Sequence, residues 1–81
     1  NIDFFYEDPE SKVIAYTRWN DEGSRVVVVA NFSDNYLAGY AVPHFPTDGT
    51  WHEWTGNYDL EAGDGQILID LPEYEAQVFV K

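Results

Sequence analysis

The segment from Val13 to Ser33 reads VIAYTRW, then NDEGS, then RVVVVANFS, and its reading decides the fold class. Val13–Trp19 and Arg25–Asn31 are two runs rich in β-branched and aromatic residues. The polar Asn20–Ser24 between them is a hairpin connection in which Gly23 is placed to take a positive φ. In the second run Val26, Val28 and Ala30 share one face, and Val27, Val29 and Asn31 share the other. A strand that is apolar on both faces must be covered on both. A two-stranded hairpin cannot provide that cover, so Arg25–Asn31 is expected at the centre of a larger sheet.

Outward from this hairpin, strand patterns and turn chemistry recur at short intervals. Ile2–Tyr6 (IDFFY) is a short first strand, reversed by the Asp8-Pro9 turn. Leu37–Val42 (LAGYAV) is a fourth strand stopped by Pro43, and His44–Gly49 is a turn region. Thr50–Trp54 (TWHEW) is a fifth. Residues 55–65 form a long acidic loop in which Tyr58–Leu60 pairs only briefly. Gln66–Leu71 points Ile67, Ile69 and Leu71 inward and Asp70 outward, and Ala76–Val80 closes the structure. Helical periodicity is absent. The pattern predicts an all-β domain, an antiparallel Greek-key β-sandwich of about seven or eight strands.

Composition sets the limits of this domain. At 81 residues it is a single unit, of a size that buries only about 60 to 65% of its unfolded surface. With no cysteine, neither disulfides nor thiolate metal sites are available to staple it. The 17% aromatic content is the remaining source of core area. Fifteen acidic against four basic residues give a net charge of −11. Lys12, Arg18, Arg25 and Lys81 cannot form the basic patch that a nucleic acid or an anionic membrane surface requires. Neither is expected as a partner, and no apolar run approaches the ~20 residues of a membrane span. The chain has no methionine and opens on Asn1, so it is expected to be a piece of a longer polypeptide. Either cytoplasm or cell exterior is compatible with a cysteine-free domain.

Three motifs in this order carry a resemblance. The arginine-ended strand Val13–Arg18, the Asn31-Phe32-Ser33 that follows the valine run, and the L-P-x-Y-x-A-x-V of Leu71–Val78 together resemble the C-terminal β-domain of the α-amylase family, glycoside hydrolase family 13. The similarity covers about Val13 to Lys81. It implies a Greek-key sandwich following a catalytic (β/α)₈ barrel, hence the non-catalytic tail of an α-glucan-acting hydrolase. The barrel of the same polypeptide is the implied partner. Because the family's catalytic carboxylates lie on that barrel, no catalytic residue and no cofactor are assigned to residues 1–81.

The residues have readings of their own. Asn31 and Ser33, where a buried strand leaves the sheet, can hydrogen-bond backbone groups that have lost ladder partners, and Phe32 is expected to plug the core edge. The same triplet matches a glycosylation sequon, at a poorly accessible position. Arg18 is expected to stack on Trp19 or to pair with an acid. Asp59, Glu61 and Asp64, with Asn57, offer oxygen ligands to calcium, but Ala62 and Leu68 break the EF-hand pattern. His44 and His52 fall on different elements, which argues against zinc. For an α-glucan the stacking candidates are Trp51, Trp54, Tyr58 and Trp19, with Tyr36 and Tyr40 behind them. Trp51 and Trp54 are three apart, so on a flat strand they face opposite ways and only one belongs to the core. Two rivals to barrel docking share these features, a starch-binding module and a free-standing module for adhesion or protein recognition. Barrel docking makes a physical demand of its own. One sheet should carry an apolar outer patch built partly from the first three strands.

Overall fold

The computed structural model describes residues 2–22 and 25–81. Eight strands run in chain order: β1 (Ile2–Asp8), β2 (Val13–Trp19), β3 (Arg25–Asn31), β4 (Leu37–Val42), β5 (Gly49–Glu53), β6 (Tyr58–Ala62), β7 (Ile67–Leu71) and β8 (Ala76–Val80). Six of them form an antiparallel sheet in the order β1-β2-β3-β8-β5-β6, and β4 and β7 pair as a second sheet. After β5, β6 and β7, the chain returns through β8 to pair with β5, which is the Greek-key return. The expected antiparallel sandwich is therefore the fold. The expectations for Gly23 and Ser24 lie outside the described residues.

β3 does occupy the centre, between β2 and β8. Its Val27, Val29 and Asn31 are buried, and Val26, Val28 and Ala30 are half-buried on the opposite face. β8 is more central than a closing strand, because β3 and β5 pair on either side of it. Residues 55–65 correct the sequence reading. Tyr58–Ala62 is a full strand whose register with β5 runs from Gly49↔Ala62 to Glu53↔Tyr58. Its alternation places Leu60 and Ala62 toward the core and Asp59 and Glu61 toward solvent, so the acids that suggested a loop are one solvated face.

The core gathers Val13, Ala15, Val27, Val29, Val42, Ile67, Ile69, Leu71 and Phe79 around an aromatic cluster. Phe45 sits edge-on to Trp51, Phe79 and Phe5, with centroids 5.1, 6.0 and 6.1 Å away. It comes from the loop between Pro43 and Pro46 and closes the end of the sandwich, a role the turn chemistry of that segment concealed. Phe32, expected to plug the core, is instead 58% exposed, because the chain has left the sheet at Asn31. In β1 the register slips between Phe4 and Tyr6. This bulge lets consecutive Phe5 and Tyr6 both pack on the core while Phe4 stays on the outer face. Tyr40 then ties β4 to β1. Its hydroxyl donates to Asp8 Oδ2 at 2.7 Å and lies 2.7 Å from the Tyr6 hydroxyl. Burial and those two neighbours raise the Tyr40 phenol, and the bond from Tyr40 lowers the Asp8 carboxyl.

Candidate functional site: the outer face of the larger sheet

The register of the six-stranded sheet aligns side chains in rows across its outer face. Phe4↔Tyr16, Tyr16↔Val28 and Val28↔Val78 make one continuous apolar row over four strands. A second row runs Ile2, Arg18, Val26, Val80 and His52 to Asp59. Glu7, Ile14, Ala30 and Ala76 make a third, acidic at its β1 end. Phe4 is 58% exposed and stacks on Tyr16 at 5.2 Å, while Ile2 is 52% exposed. Cross-strand pairs of this kind stabilise the sheet, but they leave a contiguous apolar surface facing solvent. The polar end of the second row is closed by His52 Nδ1, 2.7 Å from Asp59 Oδ1. Between the hairpin end and the centre, Tyr16, Arg18, Trp19, Asn20, Val26 and Val28 line a cleft of about 340 Å³.

Two buried polar side chains hold this face in shape from beneath. Asn31 is 1% exposed. Its Nδ2 donates to the carbonyls of Asn35, Leu71 and Pro72, at 2.9, 3.2 and 3.1 Å. Its Oδ1 accepts from the Ser33 amide and hydroxyl, at 2.9 and 2.7 Å. One amide thus joins the end of β3 to the end of β7 and to the loop before β4, as the loss of ladder partners there requires. With its nitrogen committed and buried, Asn31 cannot accept a glycan.

Glu53, also 1% exposed, fixes the place where β5 leaves β8. Its carboxylate accepts from the Val78 amide at 2.8 Å, from the Gly56 amide and from the Thr55 hydroxyl at 2.6 and 2.7 Å. Val78 lies on β8 within the apolar row, so this bond replaces a ladder bond that β5 no longer supplies. Burial pushes the Glu53 carboxyl up, but the donors from Thr55, Gly56 and Val78 outweigh it and hold the group below its ordinary 4.5. The sequence reading offered no separate place for Glu53, since fifteen acids gave no reason to choose one.

A family model described as the alpha amylase C-terminal all-beta domain matches residues 6–81. The chain belongs to this family. A comparison with curated proteins finds no match. The chain is thus a C-terminal all-β domain of the α-amylase type, the non-catalytic part of such proteins, and the motifs that carried the resemblance acquire physical roles in it. Asn31 and Ser33 form the buried hub, the carbonyls of Leu71 and Pro72 are its acceptors, and the Tyr74 amide donates to the Ser33 carbonyl at 3.1 Å.

The remaining sequence candidates are dispersed across this α-amylase C-terminal domain. Trp51 is fully buried, with Nε1 donating to the Thr47 carbonyl at 3.0 Å, so its ring is unavailable to a sugar. Trp54 is 69% exposed beyond the end of β5. Tyr58 is tied through its hydroxyl to Gln77, and burial with the Glu53 charge raises its phenol. Trp19 lies under Arg25, whose guanidinium carbon is 5.2 Å from the ring centroid. Stacking on Trp19 therefore falls to Arg25, the cross-strand partner, rather than to Arg18. Tyr36 is exposed and Tyr40 belongs to the Asp8 network. For calcium, Asp59 is paired with His52, Glu61 accepts from Thr50, and Asp64 lies in the following turn. No three His, Asp or Glu side chains converge among the described residues. None of these described residues lies in a helix long and apolar enough to cross a membrane.

Proposed function

We propose that this domain docks on and stabilises the catalytic (β/α)₈ barrel of an α-amylase-like hydrolase cleaving α-1,4-glucosidic bonds, using the outer face of the larger sheet. The observation that carries this reading is the row Phe4, Tyr16, Val28 and Val78, a four-strand apolar ladder on the face turned away from the domain's own core. Contiguous apolar surface of this kind on a small acidic domain is characteristic of a partner contact. Charge fits as well. A chain of net −11 keeps most of its acids off the apolar rows, so the face can be buried without stranding many carboxylates.

Phe4→Ser in the full-length polypeptide tests this. Phe4 contributes little to the domain's own core, so the domain remains folded. Its loss from an interdomain contact removes about 1.5 kcal/mol of burial, which lowers the joint melting temperature by a few degrees. Differential scanning calorimetry should show the barrel and domain transitions separating. A single transition at the wild-type temperature would place the contact elsewhere.

A further inference from the structure

Arg18 is out of keeping with its surroundings. It is exposed on the outer face, between Ile2 and Val26 in register and beside Tyr16 and Val28 in the cleft. Fifteen acidic residues share the chain with it, yet the Arg18 side chain has no hydrogen bond or ion pair among the described residues. The other cations nearby behave differently. Arg25 is spent on the Trp19 ring, and Lys81 lies over Trp51 and donates to Thr47. Among the described residues, the one side-chain polar pair in Arg18's row is His52 with Asp59, three and four positions along the row from it.

An exposed guanidinium is stable in water. Once an apolar face closes over it, an unpaired one is expensive to desolvate. A partner that covers this cleft must therefore bring a counter-charge, and the planar guanidinium selects a carboxylate, which it can hold through two parallel bonds. From this we infer that an aspartate or glutamate side chain of the catalytic domain, projecting from an otherwise apolar surface, enters the cleft lined by Tyr16, Val26 and Val28 and pairs with Arg18. The inference rests on the docking reading above and gives that contact its register. The apolar row supplies burial, and the Arg18 carboxylate pair fixes where along the row the partner sits. Pairing of this type adds orientation more than affinity.

The full-length polypeptide supplies the test, with limited proteolysis between the domains as the readout of opening. Arg18→Glu places like charges together at the contact and should speed cleavage about tenfold or more. Arg18→Lys keeps the charge but loses the two-bond fork, so its cleavage rate should fall between those of wild type and Arg18→Glu. Hydrogen exchange at the Val27 and Val29 amides verifies that the Arg18→Glu domain remains folded. In Arg18→Lys, zero-length carbodiimide coupling should join the introduced amine to an aspartate or glutamate outside residues 1–81 of the same chain. Coupling to an acid within residues 1–81, or to a second copy of the chain, overturns the inference. So does an Arg18→Glu cleavage rate within twofold of wild type. If Phe4→Ser opens the domains and Arg18→Glu does not, the docking face stands and the carboxylate partner falls. If neither variant opens them, both fall.

Discussion

Glu53→Gln is expected to cost about 3 kcal/mol of stability, from the loss of charge-assisted hydrogen bonds and the stranding of a buried amide. The geometry leaves glutamine no acceptable orientation. Oε1 accepts from the Gly56 amide and Oε2 from the Val78 amide. Whichever oxygen becomes nitrogen, one backbone N–H faces another donor, and unlike the Thr55 hydroxyl a backbone N–H cannot rotate away. Domains of this size have a total stability of about 4 to 12 kcal/mol, so the substitution removes a large share of it. The pH dependence identifies the cause. Because the folded carboxyl lies below its ordinary 4.5, its contribution is complete above that pH and is lost as pH falls through the folded value. Urea unfolding at pH 7 and at pH 3 should therefore show the gap between wild type and Glu53→Gln narrowing at the lower pH. A gap of equal size at both would mean that the charge is immaterial.

Much of the fold was legible because burial imposes pattern. The limits of β2, β3, β4 and β8 follow from the alternation of apolar residues and from Pro43, and the two-sided valine strand could sit only at the centre. The failures share a cause. Tyr58–Ala62 alternates correctly, but its outward positions are Asp59 and Glu61, and acids between glycines read as loop. Phe45 has no strand periodicity to place it, since its burial is decided by how the Pro43–Pro46 loop folds over the sandwich end. The apolar outer face was anticipated from the surplus apolar residues of the first three strands. Its register was not, because a row such as Phe4, Tyr16, Val28 and Val78 exists only once β8 inserts beside β3. Arg18 and Arg25 show the same limit. Sequence adjacency offered Arg18 either Trp19 or an acidic neighbour, whereas cross-strand pairing gave the ring to Arg25.

Asn31→Asp is expected to be the most damaging single substitution, at about 4 kcal/mol at pH 7, because in place of the amide nitrogen it sets against three buried carbonyls an oxygen, which must then take up a proton on folding. Asparagine is the one residue whose shape and polarity satisfy this hub. Its nitrogen faces the Asn35, Leu71 and Pro72 carbonyls, and its oxygen faces the Ser33 donors. Aspartate keeps the acceptor side and inverts the donor side. Its carboxyl will remain protonated in the folded state well above the unfolded value of about 3.9. The sign is then opposite to that of Glu53. Destabilisation is smallest below about pH 4, where both states are protonated, and grows as pH rises and the unfolded chain ionises. Asn31→Ala, which has no titrating group at the hub, should lose stability by an amount independent of pH. Chemical denaturation of the three proteins from pH 3 to 8 separates these cases. An Asn31→Asp deficit that is flat with pH, or below 1 kcal/mol, would mean that water reaches the hub. Asn31 would then cease to be the reason β3, β7 and the loop before β4 hold a common register beneath the apolar outer face.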